Sequence, residues 1–205
     1  MFTTRTATPL IALLFASLAP MAMAQDNAAL PPADLIAQLQ NGGLILYIRH
    51  AQTEADYADQ LTADRALCGT QRVLSEQGWH QARSLGRAIA ALQIPVGDVI
   101  SSEYCRAWQS ADLAFGRYRK DPALNFLTAE EYTPEQIEAM RARVLPVLAT
   151  PIAPGSNLVI VGHDDPLEAV TGIYPEPQGV TFVLRQTPAG VEVLGGIAPD
   201  AWPAP

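Results

Sequence analysis

Histidine, cysteine and positive charge are all scarce in this chain. Of 205 residues three are His and two are Cys, and 13 Lys plus Arg stand against 21 Asp plus Glu, a formal net charge of −8. A surface of that sign repels nucleic acid and anionic lipid, so neither is expected as a partner. If the protein handles an anion, its positive charge must be gathered at one place. The two cysteines, Cys68 and Cys105, have no second Cys or His at short range, which excludes the usual zinc-ligand spacings. There is no internal repeat and no low-complexity tract. With 49% apolar residues and this length, the chain is expected to be globular, with one domain around one core.

The only long apolar stretch stands at the start. MFTTRTATPLIALLFASLAPMAMAQ has a basic residue (Arg5), an apolar middle and Ala22-Met23-Ala24 before Gln25. That is the pattern of a secretory signal peptide cleaved near Ala24. Pro9 and Pro20 interrupt the run, and it falls short of a stable membrane span. We therefore expect residues 1–24 to be a leader, 25–32 a linker and 33–205 the domain. The mature protein would be secreted into the periplasm, where its cysteines would meet an oxidising compartment. It loses Arg5 and no acid, and so becomes one unit more negative. In such a compartment an even pair of cysteines reads as a disulfide, the alternative being two buried thiols.

Along the domain, Leu35, Ile36 and Leu39 form a helical stripe stopped by Asn41-Gly42-Gly43. GLILYI (43–48) is too short for a helix and apolar on both faces, as a strand buried between layers would be. Residues 52–73 have weak periodicity and read as a long loop. A helix follows, with Ser75 as cap and Trp79, Ala82, Leu85, Ile89 and Leu92 as its apolar stripe. VGDVIS (96–101) reads as a strand, then a helix through Phe115, then PALNFL (122–127) as a further strand. Thr133-Pro134-Glu135-Gln136 is a helix start with a capping box, and Pro146 is expected to kink or shorten that helix. NLVIV (157–161) is another buried strand, followed by a short helix, and VTFVLR with VEVLGG forms a terminal hairpin. Strands alternating with helices predict a three-layer α/β/α sandwich with a mostly parallel central sheet and a C-terminal β-hairpin.

Ligands of such sheets bind beyond the carboxyl ends of the strands. There the first strand delivers Arg49-His50, the second leads into Ser101, Ser102 and Arg106, and the later one ends in His163-Asp164. Arginine does not deprotonate but clamps phosphate through paired N–H groups. Neutral imidazole is a nucleophile near pH 7. Phosphoryl transfer needs an in-line nucleophile and positive groups around the equatorial oxygens. His50 suits the first role, and Arg49, Arg106 and His163 the second. The arginines supply the charge, so neither metal nor cofactor is expected.

YIRHAQTE, ISSEYCRAWQSADLAF and LVIVGHDDPLEAVTG, in this order, resemble the histidine phosphatase superfamily, the phosphoglycerate-mutase-like fold. The resemblance runs from about residue 43 to 173. It implies hydrolysis of phosphomonoesters or phosphoramidates through a phosphohistidine on His50, with Arg49, Arg106 and His163 completing the phosphate pocket. Thr53, at the last position of R-H-x-x-T, would shape it. The chain departs from many members in having Ala51 rather than Gly after the first His. It also leaves the proton donor open. One branch places it directly after the second His, here Asp164, and the other on a Glu before it, here Glu130 or Glu131; Asp164 ranks first. In this fold the segments of Cys68 and Cys105 both border the pocket, so their bridge would pin the long loop beside it. The substrate would be a phosphorylated small molecule or envelope glycan. The alternative is a module that binds such a phosphate in the same Arg/His pocket with little turnover.

Overall fold

The computed structural model describes residues 29–56, 58–59, 63–127 and 131–204. The expected leader and Glu130 lie outside the described residues. Chain order is α1 (Pro32–Gln40), β1 (Ile45–Arg49), α2 (Glu76–Ala91), β2 (Val96–Ser101), α3 (Cys105–Phe115), β3 (Arg119–Lys120), α4 (Pro134–Leu148), β4 (Asn157–Gly162), α5 (Asp164–Thr171), β5 (Thr181–Thr187) and β6 (Gly190–Ile197). The strands form one six-stranded sheet in the order β3-β2-β4-β1-β5-β6. β1, β2, β3 and β4 pair in parallel, while β5 and β6 add an antiparallel hairpin beside β1.

Alternation along the central strands builds two cores. Leu46, Ile48, Val159 and Val161 face α1, α2 and α3 on one side. Ile45, Tyr47, Leu158 and Ile160 face Met140 and Val144 of α4 and Leu167 of α5 on the other. Since successive side chains of a strand point to opposite faces, unbroken apolar runs such as ILYI and LVIV are what a doubly covered sheet requires. The result is the expected α/β/α sandwich with its terminal hairpin. Asn157, buried at the start of β4, ties the amino end of the sheet together: its side chain bonds Leu44 N, Leu39 O and Pro95 O.

Caps fall where the side-chain chemistry put them. Ser75 Oγ accepts from Gly78 N at the start of α2, and Thr133 with Gln136 forms a capping box on α4. Three expectations need correction. Residues 122–127 are not a strand: Pro122 has no N–H to give a ladder, and Asp121 caps a 3-10 turn over Pro122–Leu124. The edge strand is instead the adjacent Arg119–Lys120, which pairs with Ile100 and Ser101. Trp79 is not on the buried stripe of α2; it is 47% exposed, and Gly78, Ala82, Leu85 and Ile89 face inward. Pro146 does not end α4, which continues to Leu148. So near the helix end, proline forfeits only one internal hydrogen bond, and Gln186 Nε2 meets the last carbonyls, Leu148 O and Thr150 O.

Candidate active site

The parallel strands end at a common rim, and the candidate residues gather there. Arg49 is the last residue of β1, and His50 follows it, its N–H bonded to Gly162 O at the end of β4. His163 follows β4 directly as the N-cap residue of α5, and Arg106 lies in the first turn of α3, just past β2. All four side chains are buried, with the residues between 1% and 5% exposed. The imidazole centroids of His50 and His163 are 5.4 Å apart. Gly162 is required at the strand end: a Cβ there would lie 2.5 Å from the Tyr47 hydroxyl, which donates to His163 O. Replacing that glycine would move the backbone that carries His163.

The hydrogen bonds fix which nitrogen of each histidine is free. His50 Nδ1 is 2.8 Å from Ala51 O, a group that can only accept, so Nδ1 carries the proton and Nε2 keeps its lone pair. For His163 the inference passes through two neighbours. Glu103 N donates to Asn125 Oδ1, which orients that amide, and Ser102 Oγ donates to the same oxygen. The serine proton is thereby used, so His163 Nε2, 2.8 Å from Ser102 Oγ, is the donor. His163 Nδ1 is left buried with no partner among the described residues, as are Arg49 Nε and Arg106 Nε. Such groups are expensive to bury unmatched. Three such groups at one rim, on residues whose charges reach both imidazoles, suit an anion with several acceptor oxygens.

Burial and then the Arg106 charge hold His50 well below the ordinary imidazole pKa; the Ala51 bond opposes them, and the Arg49 and Arg72 charges add smaller lowering. His163 is lowered too, by burial first and then by Arg106, His50 and Arg49. The sign follows from burial disfavouring the charged form and from like charges repelling a further proton. Both imidazoles are therefore neutral near pH 7 and remain so as the pH falls through 6.5.

The arginines are already matched in part by carboxylates. Arg49 Nη2 contacts Asp164 Oδ2 at 2.6 Å, and Nη1 donates to Pro175 O. Arg106 Nη1 and Nη2 contact the two oxygens of Asp59 at 2.8 and 3.0 Å. Asp59 also accepts from Arg72 N. Tyr104 and Phe126 stack with centroids 4.3 Å apart, stand edge-on to His163, and each lies 5.1 Å from the Arg106 guanidinium. Arg72 is half-buried near the same groups, and burial, with repulsion from Arg106, lowers its pKa.

Of the other expected residues, Thr53 is buried, but its N–H and hydroxyl both point to Gln178 Oε1, so it braces the pocket wall. Asp164 adjoins the pocket through Arg49 and also accepts from Tyr174 Oη. Glu131 is exposed on the approach to α4. Cys68 and Cys105 are bonded to each other, with Cα atoms 5.6 Å apart. Next to them Gln71 Oε1 accepts from Cys105 N, a second tie between the long loop and the residue before Arg106. Ser102, expected at the rim four residues before Arg106 in the S-S-x-x-x-R pattern, is there and holds His163. Asp59, Asn125, Phe126 and Tyr174 join the site without having been singled out for it.

Comparison with known proteins agrees with this geometry. Residues 45–125 match the histidine phosphatase superfamily (branch 1). A comparison with curated proteins finds no match. Among solved structures, a mycobacterial glucosyl-3-phosphoglycerate phosphatase in complex with VO3 is similar at 17% identity, covering 74% of this chain and 97% of that one with a TM-score of 0.53. The protein histidine phosphatase SixA complexed with tungstate is similar at 14% identity, 77% and 97% coverage and a TM-score of 0.53. A mutant phosphoserine phosphatase from Entamoeba histolytica in complex with phosphoserine is similar at 12% identity, 77% and 98% coverage and a TM-score of 0.56. At these identities the likeness to solved structures is one of fold. The matched segment is that of the histidine phosphatase superfamily (branch 1), and the fold is the phosphoglycerate-mutase-like one that these solved structures share.

Proposed function

We propose that the protein is a phosphatase that hydrolyses phosphomonoesters, or phosphoramidates, through a phosphohistidine on His50. The observation that carries this reading is the free Nε2 of a buried, neutral His50, 5.4 Å between ring centroids from His163 and within electrostatic reach of Arg49 and Arg106, with Arg49 Nε, Arg106 Nε and His163 Nδ1 lacking partners among the described residues. The superfamily match and the phosphatases among its structural relatives support phosphatase chemistry in general. His50 Nε2 attacks phosphorus in line, the P–O bond to the leaving group breaks, and the two guanidinium groups stabilise charge on the equatorial oxygens. A bound dianion favours protonation of His163, whose Nδ1 then donates to a phosphoryl oxygen. Water next attacks phosphorus, the P–N bond breaks, and phosphate leaves with His50 restored. The charge needed for this comes from Arg49 and Arg106, which makes the reaction independent of metal and cofactor.

Asp164 is the proposed proton donor. A phosphate at Arg49 competes with the 2.6 Å ion pair to Asp164 and places negative charge beside the carboxylate. Released from that pair, the carboxyl group can meet the leaving oxygen instead. Asp164→Asn should therefore slow alkyl phosphates, whose leaving oxygen needs a proton, by ~10²-fold or more, and nitrophenyl phosphate far less. Equal losses on both substrates would return the role to Glu130 or Glu131.

Export fits the same picture. The leader pattern of residues 1–24 and the Cys68–Cys105 bond beside the pocket both suit an oxidising compartment, in our reading the periplasm, with phosphorylated small molecules or envelope glycans as substrates. The test of the reaction is rapid quench into alkaline denaturant during turnover of a phosphorus-labelled aryl phosphate. An acid-labile, base-stable phosphoryl group on the His50 peptide is expected. A protein that binds phosphate but never becomes labelled, and turns over no phosphomonoester, would be the binding module instead.

A further inference from the structure

The pocket at His50 accounts for the phosphoryl half of a substrate and leaves the other half unassigned. Beside it, with Arg49 as shared wall, opens a cleft of about 540 Å³. Its walls carry four amides, Gln52, Gln77, Gln81 and Gln178, and two carboxylates, Glu176 and Asp200. Two prolines complete the lining; among the described residues it holds no aromatic side chain, and Arg49 is its one cation.

The cleft is a built surface. Gln81 Oε1 accepts from Gln52 N at 2.9 Å and Gln81 Nε2 donates to Gln178 O at 3.1 Å, so one side chain stitches two walls together. Gly179 makes room for it: its φ is +86°, and a Cβ there would lie 2.5 Å from the Gln81 amide. Gln178 Oε1 accepts both Thr53 N and Thr53 Oγ1, which fixes the amide's orientation. Its Nε2 then has no acceptor among the described residues. Gln77, in the first turn of α2, is exposed and makes no side-chain hydrogen bond among them.

The chemistry of these groups selects a ligand class. An amide both donates and accepts without net charge, as a hydroxyl does. Glu176 and Asp200 accept strongly from hydroxyls and repel a carboxylate or second phosphate. Pro177 and Pro199 are its apolar wall, so an aryl or acyl group would bury some surface here but would leave the amides and carboxylates around it without partners. We propose that this cleft is the leaving-group subsite and takes a neutral polyhydroxylated group, a sugar or polyol, carried on the phosphate that His50 handles. This rests on the phosphatase reading above.

The experiment compares kcat/KM of wild type and Gln77→Ala on a hexose monophosphate, phosphoserine and nitrophenyl phosphate. The hexose phosphate should exceed phosphoserine by at least ~10-fold in wild type, and Gln77→Ala should lower the hexose-to-aryl ratio ~10-fold, about what an unmade hydrogen bond to substrate is worth. An unchanged ratio, or phosphoserine turned over as well as the sugar phosphate, overturns the proposal. If wild type hydrolyses none of the three, the phosphatase reading has failed instead. Calorimetry then decides the cleft. Hexose phosphate binding tighter than inorganic phosphate, and weakened by Gln77→Ala, keeps the subsite; equal affinities remove it.

Discussion

His50→Ala should reduce kcat on nitrophenyl phosphate by at least ~10⁴-fold, equivalent to roughly 5.5 kcal/mol of barrier. The size follows from the absence of a substitute. His163, the nearest imidazole at 5.4 Å between centroids, uses its Nε2 as a donor to Ser102. Turning its Nδ1 into the nucleophile would leave no imidazole to serve the oxygens. Binding should survive the substitution, because Arg49, Arg106 and His163 remain. Inorganic phosphate affinity within about threefold of wild type, measured by calorimetry, would show that the loss lies in the chemical step. Residual hydrolysis within tenfold of wild type would remove His50 from the role. The wild-type rate should also resist mild acid. Protonation of Nε2 destroys the nucleophile, and burial with two flanking arginines delays that protonation below the ordinary imidazole range.

How much of this was legible beforehand depended on whether a residue's role was local. β1 and β4 were visible because a strand covered on both faces must be apolar at every position, and ILYI and LVIV are. Arg49, His50, Arg106 and His163 were visible because each stands at or just after such a strand, where topology alone sends it to the rim. Asp59 was not. It lies in a loop of no periodicity, and only the folded path of that loop carries it to the Arg106 guanidinium. Asn125 was hidden differently. Residues 122–127 read as a strand, which would have paired its backbone in a ladder and left the side chain free of Ser102. The 3-10 turn after Asp121 instead sets the Asn125 amide between Ser102 and Glu103. Trp79 shows the limit of periodicity in the other direction. A stripe through 79, 82, 85 and 89 and one through 78, 82, 85 and 89 share three positions, and a glycine at 78 gives the hydrophobic pattern nothing to register.

Removing the disulfide, by Cys68→Ser with Cys105→Ser, should destabilise the domain by roughly 2–4 kcal/mol, since the bridge closes a loop on the scale of 37 residues and such closure restricts the unfolded chain. The effect on activity is the more telling one. Cys105 immediately precedes Arg106, and the bridged loop brings Asp59 and Arg72 to the same pocket. With the bridge gone, the Gln71 Oε1 bond to Cys105 N and the Asp59–Arg106 ion pair are left to hold that loop against the start of α3. KM should therefore rise well before the protein unfolds, by about tenfold if the loop's lost order costs ~1.4 kcal/mol of binding. Urea unfolding of wild type with and without reductant, beside the double variant, separates the two consequences. A lower midpoint with unchanged KM would make the bridge a staple for the fold alone. Identical midpoints in all three samples, with free thiols found in unreduced peptides by mass spectrometry, would show that the cysteines are not bonded in the protein as isolated.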